Sequence, residues 1–162
     1  MHHFTLSDIE EMSKIYRLNL INSVTGYKSA HLVGTISAEG KENLTVFSSV
    51  IHLGSNSAII GFILRPTTIP RHSSHENIKS TGVFTLNAIH KNQITDAHHT
   101  SAKYPRDVSE FNQTELISEK KENSKAPFVK DAPIQVACKY LNEYHIKKNN
   151  ALLIIGRWMD ST

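Results

Sequence analysis

The pattern of apolar and polar residues changes along the chain from a helical repeat to a strand repeat. Near the N-terminus, apolar residues recur every three or four positions, as on one face of a helix: Ile9, Met12, Tyr16 and Leu20. Ser7, with Glu10 three residues later, predicts a capping box at the start of this helix. Gly26 predicts its end. The chain should therefore begin with one N-terminal helix.

Beyond residue 30 the pattern is that of short strands separated by turn residues. Strands are predicted over six segments, 31–37, 44–53, 58–64, 83–89, 133–145 and 151–158. The third of these is apolar on both faces, as expected for a strand in the middle of a core. A short helix should start at Ser73 or Ser74 and run to Ser80, with Gly82 after it.

The rest of the chain adds two segments to this picture. Residues 92–102 predict a helix, and residues 103–130 form a long, polar, irregular stretch, of a kind that often covers a site or a subunit contact. Strands and helices do not alternate, and there is no Gly-x-Gly-x-x-Gly or Gly-Lys-Ser/Thr loop. Neither a classical dinucleotide-binding fold nor a nucleoside triphosphatase is therefore supported. We therefore expect a mainly β fold with short helices, a small antiparallel barrel, as one domain over residues 1–162.

The composition excludes several functional classes. Apolar residues make up 39% of the chain, and 18 basic against 15 acidic residues give a net charge of +3. This excess is too small for a nucleic-acid partner to be expected, although it favours an anionic cofactor or substrate. Cys138 is the single cysteine, which excludes an intrachain disulfide, and its place among alternating apolar residues predicts a small buried side chain.

Neither a membrane segment nor a secretion signal is predicted. The longest apolar run, Ala58–Leu64, is far too short to span a bilayer. The N-terminus lacks a basic segment followed by an apolar one. We therefore expect a cytoplasmic protein with no membrane partner.

A first group of polar residues interrupts an apolar strand between Asn43 and Val50. Ser48 and Ser49 are adjacent there, and serine is a poor strand former. A ligand that approaches the backbone closely would explain them; a bulge or a strand end would explain them equally well. Asn43 has a similar alternative as a turn residue.

A second group lies just before the predicted helix at residue 73. It brings two arginines together with hydroxyl and imidazole groups: Arg65, Thr67, Thr68, Arg71, His72 and Ser73. A helix start carries free amides and partial positive charge, and arginine can bind phosphate through two parallel hydrogen bonds. The group therefore predicts a phosphate site, with a solvated basic loop as the alternative.

Asn87 and the ten histidines are the remaining candidates. Asn87 ends a run of buried-type residues, so its amide needs a partner, for which the backbone is favoured over a ligand. The closest histidine pairs are His72 with His75 and His98 with His99, and neither has a carboxylate at a ligand spacing. No metal site is predicted, and no Gly-x-Ser-x-Gly nucleophile motif occurs.

Several short segments, taken in their order, carry a family resemblance. They are Leu32–Thr35, Asn43–Leu44, Phe47–His52, Pro70–Ser73, Glu76–Ile78, Gly82–Asn87, Ala97–Ser101, Ser109–Phe111 and Ala126–Val129. Across nearly the whole chain, their order and spacing resemble the flavin reductase-like family of FMN-binding split barrels. The resemblance implies a six-stranded antiparallel split barrel of the Greek-key type, and a homodimer with FMN at the subunit interface.

The resemblance also implies roles for the candidate residues. Phe47 to Val50 would contact the isoalloxazine ring, largely through backbone atoms, and the arginine-containing group would hold the phosphate and ribityl chain. Ser73 stands where the family has threonine, and the chain ends at Thr162 where members usually continue. The predicted cofactor-binding set is Asn43, Phe47, Ser48, Ser49, Val50, Arg65, Arg71, His72, Ser73 and Asn87.

The implied activity is that of a flavin reductase that takes electrons from NAD(P)H through FMN. No catalytic side chain is predicted, because the flavin carries the hydride chemistry. Two alternatives stay open at this point. One is a non-catalytic FMN-binding or storage protein on the same fold, and the other is a barrel that binds a different phosphorylated ligand or a tetrapyrrole.

Overall fold

The computed structural model describes residues 4–66, 73–105 and 107–159, and every structural statement below concerns these residues. It contains four α-helices: α1 (Leu6–Glu11), α2 (Lys14–Ser23), α3 (Ser73–Thr81) and α4 (Ile94–His99). It contains nine strands: β1 (His31–Ile36), β2 (Glu42–Phe47), β3 (Ile51–Ser55), β4 (Ala58–Leu64), β5 (Val83–Ala88), β6 (Ser118–Lys121), β7 (Ser124–Val129), β8 (Gln135–Ile146) and β9 (Ala151–Trp158).

Seven strands form one antiparallel sheet in the order β2-β1-β5-β8-β9-β4-β3, and β6 pairs with β7. The edge strands β2 and β3 are consecutive in the sequence, and Ser48–Val50 connects them. The prediction of a mainly β, antiparallel fold is confirmed, but the main sheet has seven strands rather than six.

The prediction of one strand over residues 44–53 is wrong, because the chain leaves the sheet at Ser48–Val50. The hydroxyl of Ser49 explains the break. Its Oγ accepts a hydrogen bond from the Ile63 amide at 3.0 Å and donates one to the Ile63 carbonyl at 3.2 Å. A side chain thus occupies the hydrogen-bonding groups of β4 that a neighbouring strand backbone would otherwise use.

Two further predictions need correction. The N-terminal helix is two helices, because Ser13 caps the start of α2, and the capping box of α1 is formed by Thr5 and Asp8 rather than by Ser7 and Glu10. The stretch 103–130 is not irregular throughout, since it contains the β6–β7 hairpin.

The core has two parts, one on each face of β1. Inside the curled sheet, apolar side chains from six elements pack together: Val33, Phe62, Leu64, Ile78, Phe84, Leu86, Val136, Cys138 and Ile154. On the other face, α4 and β7 cover a second cluster: Leu32, Leu44, Ala97, Leu116 and Val129. β7 crosses β1 so closely at Gly34 that a Cβ there would lie 2.1 Å from the Pro127 carbonyl oxygen. These contacts fix the sheet whose open edge carries the candidate site.

Candidate functional site

The open edge of the sheet carries a short backbone segment that lacks ladder partners. Ser48, Ser49 and Val50 lie between β2 and β3, and no backbone hydrogen bond from their amides is found in the described part of the chain. Ser48 is exposed, whereas Ser49 and Val50 are half-buried. Amides that are accessible and unpaired are suited to bind the acceptor groups of a ligand.

The side chains that flank this segment face the core. The ring of Phe47 packs on the ring of Phe62, with centroids 4.7 Å apart and planes at 55°. Val50 also packs on the inner cluster. The segment is therefore held on the inner face of the sheet by apolar contacts.

The end of β4 lies next to this segment. The two hydrogen bonds between Ser49 and Ile63 join the last residues of β4 to the Ser48–Val50 segment. Arg65 follows two residues later, just beyond the end of the strand, and it is exposed. One predicted phosphate ligand is thus placed near the predicted ring segment.

The first turn of α3 is attached to β2. Asn43 donates from Nδ2 to Ser74 Oγ at 3.0 Å and to Thr45 Oγ1 at 3.3 Å, and the two hydroxyls are 3.3 Å apart. Ser74 is 2% exposed, so this junction is a fixed part of the structure. Thr45 lies three residues before Ser48, which in a strand is about 10 Å. The amino end of α3 and the unpaired amides are therefore within the span of one nucleotide-sized cofactor.

Two predicted site residues, Arg71 and His72, lie outside the described residues, as does the side chain of Ser73. Their roles stay predictions. The segment that contains them joins Pro66, beside the end of β4, to α3, beside β2. Both of its ends therefore lie next to elements in contact with other candidate residues, since Ser49 is bonded to the end of β4 and Asn43 lies in β2.

An ion cluster holds α3 on β8. His75 Nε2 is 2.8 Å from Glu143 Oε2, and Lys79 Nζ is 3.3 Å from Glu143 Oε1 and from the Tyr140 hydroxyl. Partial burial opposes ionisation of Glu143, but hydrogen bonds and charge from His75 and Lys79 outweigh it and lower its pKa. The cluster fixes the orientation of the helix whose amino end faces the site.

Asn87 is placed differently from the other predicted residues. It is fully buried in β5, its Nδ2 donates to the Leu32 carbonyl at 3.1 Å and to Thr85 Oγ1 at 3.0 Å, and its Oδ1 accepts from the Val129 amide at 3.0 Å. The expectation that protein atoms satisfy its amide is confirmed. A direct contact with a cofactor stays a prediction, and this geometry gives Asn87 a structural role.

The sequence reasoning missed His31, which begins β1 directly opposite Phe47. Its Nδ1 is buried and has no hydrogen-bond partner among the described residues. Burial lowers the pKa of this imidazole. A neutral imidazole with an unpaired nitrogen therefore lies beside the predicted ring segment. A polar residue at the start of an otherwise buried strand was the one signal available in the sequence.

The remaining candidate features concern metal ligands, histidines and membrane-spanning helices in residues 4–66, 73–105 and 107–159. No group of three or more His, Cys, Asp and Glu side chains there is placed to hold a metal ion. His98 and His99 are exposed, and the ring of His99 lies edge-on to Tyr104 at 6.1 Å. No helix in these residues is long and apolar enough to cross a membrane.

Comparison with known families now assigns the chain. The flavin reductase like domain matches residues 27–161. The chain therefore belongs to the flavin reductase-like family, and the resemblance seen in its short segments is confirmed. No curated protein matches the chain in sequence.

Solved structures support the same assignment. A candidate flavin reductase with a split barrel domain, from Shewanella frigidimarina, is 39% identical with a TM-score of 0.93, over 99% of this chain and 79% of that one. Nitrilotriacetate monooxygenase component B from Bacillus cereus is 19% identical with a TM-score of 0.82, over 98% and 79%. An NADH:FAD oxidoreductase from Streptomyces globisporus is 15% identical with a TM-score of 0.73, over 94% and 86%. The two distant structures show the fold, which is the predicted split barrel.

Proposed function

We propose that this protein is an FMN-binding flavin reductase, a homodimer that holds FMN at its subunit interface and accepts electrons from NADH or NADPH. Membership of the flavin reductase-like family supports a flavin-related oxidoreductase. That the flavin is FMN, and that the electron donor is NADH or NADPH, is our proposal. One domain over residues 1–162, a cytoplasmic location and the lack of a nucleic-acid partner stay predictions of the sequence.

The observation that carries the proposal is the set of amides at Ser48–Val50, which have no backbone partner among the described residues. They lie at the sheet edge between β2 and β3, with apolar support from Phe47 and Val50. Ser49 is bonded to the end of β4, which Arg65 follows, and Asn43 in β2 is bonded to the start of α3. A flavin ring has a row of carbonyl and nitrogen acceptors along one edge, which these amides suit. In the proposed homodimer, the second chain would cover this sheet edge and complete the binding site.

The basic groups favour a flavin that carries phosphate. Arg65 and the helix start supply positive charge, and Arg71 and His72 lie in the segment between them. Riboflavin lacks the phosphate and should bind more weakly than FMN. FAD has a second nucleotide half, and the Streptomyces neighbour is named for it, so FAD belongs in the same titration.

When bound, FMN supplies the hydride acceptor, and the protein supplies position and electrostatics. The amides at Ser48–Val50 would donate to the ring and stabilise the negative charge that reduction places on it. Phe47 and Val50 exclude water from beneath the segment. His31 offers a neutral nitrogen beside it. No residue of the described chain is assigned the transfer of a proton.

The test is a titration of the purified protein with FMN, FAD and riboflavin, followed by assays of NADH and NADPH oxidation. We expect FMN to bind most tightly and at least one donor to be oxidised. FMN binding without oxidation of either donor would identify a non-catalytic FMN-binding protein. Failure to take up any flavin would refute the proposal and favour a barrel with another ligand.

A pair of variants at basic residues tests the phosphate site. Arg65→Ala should weaken FMN binding by about 1.5–3 kcal/mol if its charged hydrogen bond reaches the phosphate. Riboflavin binding should change little. Lys125→Ala is the control, since Lys125 is an exposed cation in β7, which pairs with β6 and not with β3 or β4. Equal loss for FMN and riboflavin would remove Arg65 from the phosphate site.

A further inference from the structure

The N-terminal arm, defined here as residues 6–24, is not packed on the rest of the chain. Neither α1 nor α2 contains a buried residue. Its exposed apolar side chains include Leu6 (71% exposed), Ile15 (73%), Leu18 (47%), Ile21 (49%) and Val24 (69%). The arm also precedes the segment that matches the family domain, which starts at residue 27.

The sequence of α2 indicates that this helix is covered in the native assembly. Half of its ten residues are apolar, and none of them is buried: Ile15, Tyr16, Leu18, Leu20 and Ile21. A helix with this many apolar residues normally packs them against another surface. A helix of 10 residues is also marginal in water without tertiary packing. The arm therefore needs a surface to pack on.

The same chain has an uncovered apolar sheet surface, which we call the outer face. It lies on β3, β4, β9 and β8, opposite the inner core. Leu53 and Leu153 both lie over Gly61 on this face. Tyr144 pairs with Leu153, and Ile146 is two residues further along the same strand. The most exposed apolar residues of the outer face are Ile51 (42%), Leu53 (43%), Tyr144 (59%) and Ile146 (36%).

The total surface shows how much area is uncovered. The chain exposes 10784 Å². A compact monomer of 18.2 kDa exposes about 8,100 Å². The excess, about 2,700 Å², is comparable to what each subunit of a large obligate dimer buries. The arm and the outer face are both uncovered apolar surfaces. Together with this excess of accessible surface, they are consistent with an exchange of arms between two copies.

The charges of the arm and of the outer face are complementary. Helix α1 carries three acidic residues, Asp8, Glu10 and Glu11, and no basic one. The outer face and the β8–β9 turn carry basic residues, Lys139, Lys147, Lys148 and Arg157. Glu143, the one acidic residue of β8 and β9, pairs with the buried Ile154 and so lies on the opposite face. An acidic helix is therefore matched to a basic rim.

We propose that the N-terminal arm of one copy packs on the outer face of a second copy, and that the two arms are exchanged. The Shewanella structure matches 99% of this chain, so its fold includes the same arm. The inference rests on the homodimer of the proposed function, but it does not depend on the flavin.

Cross-linking of the full-length protein tests the contact. The double variant Leu18→Cys/Tyr144→Cys places one thiol on the arm and one on the outer face. The native Cys138 does not interfere, because burial raises its pKa to about 12. We expect a short bismaleimide to give a covalent dimer. The matched control is Leu18→Cys/Ile117→Cys, since Ile117 is 57% exposed outside the outer face, and it should stay uncross-linked.

Sedimentation equilibrium supplies the second readout. Leu18→Glu with Ile21→Glu should raise the dimer dissociation constant at least tenfold without unfolding the chain, because neither side chain is buried. Ile117→Glu is the control and should leave the constant unchanged.

Three outcomes would overturn the proposal. A dimer that survives the arm variant without a specific cross-link would refute arm exchange and leave the homodimer standing. A cross-link that forms within one chain would show that the arm folds back on its own outer face. A monomeric wild-type protein would refute both the arm exchange and the homodimer. The flavin titrations report separately on the cofactor in every case.

Discussion

Replacement of Asn87 by alanine separates a structural role for this residue from a cofactor-binding one. The substitution removes hydrogen bonds to the Leu32 carbonyl, to Thr85 Oγ1 and to the Val129 amide, all of them buried. Each buried group left unsatisfied costs about 1–3 kcal/mol. Because three buried groups lose a partner and the lost bonds tie β5 to both β1 and β7, we expect a total loss of at least about 3 kcal/mol in the free energy of unfolding.

The measurement is urea unfolding followed by far-ultraviolet circular dichroism at one fixed protein concentration, which keeps any dimer equilibrium constant. Asn92→Ala is the control, since Asn92 is exposed, and its stability should stay within about 0.5 kcal/mol of wild type. The FMN affinity of the folded fraction is measured in parallel. An unchanged free energy of unfolding together with a tenfold loss of FMN affinity would show that Asn87 binds the cofactor and that our structural reading is wrong.

Two further predictions concern stability. Burial raises the pKa of Glu110, while its hydrogen bond from the Leu44 amide at 2.8 Å opposes the shift. The free energy of unfolding should therefore fall as pH rises from about 4.3, the unfolded pKa, through the raised value, and then level off. Glu110→Gln keeps the acceptor and should flatten this dependence in urea unfolding between pH 4 and 7; an unchanged slope would contradict the assignment. Gly34→Ala should cost at least about 3 kcal/mol, because its Cβ would meet the Pro127 carbonyl oxygen at 2.1 Å. Gly54→Ala is the control, with its nearest atom at 3.4 Å, and equal thermal stability of the two variants would refute the argument.

The regular elements could be predicted because their signals are local. Apolar runs and turn residues gave β1, β4, β5 and β9 to within a residue or two, and serine at a helix start gave α3. The β6–β7 hairpin could not be found in the same way. Its first strand, Ser118–Lys121, is polar on both faces, so no apolar alternation marks it. It is identified only by its pairing with β7, which is a tertiary contact.

The sequence indicated the segments of the candidate site but not the contacts between them. Ser48–Val50 and Arg65 do lie near one another, as their chemistry suggested. The hydrogen bond from Asn43 to Ser74 joins residues 31 positions apart, and nothing local indicates it. Nothing local indicates that His31 is a candidate either, because it becomes one only through its position opposite Phe47.

The two explanations offered for the adjacent serines turn out to be compatible. A strand end and a ligand site seemed to be alternatives when only the sequence was considered. In the structure the Ser49 hydroxyl takes over the hydrogen bonds of Ile63, and this substitution is what ends the strand. Because the side chain satisfies β4, the amides at Ser48–Val50 are released from the ladder while the chain stays anchored to the sheet. The same irregularity therefore ends the pairing with β4 and leaves the Ser49 amide without a backbone partner among the described residues. A regular edge strand would leave unpaired only the amides that point away from β4.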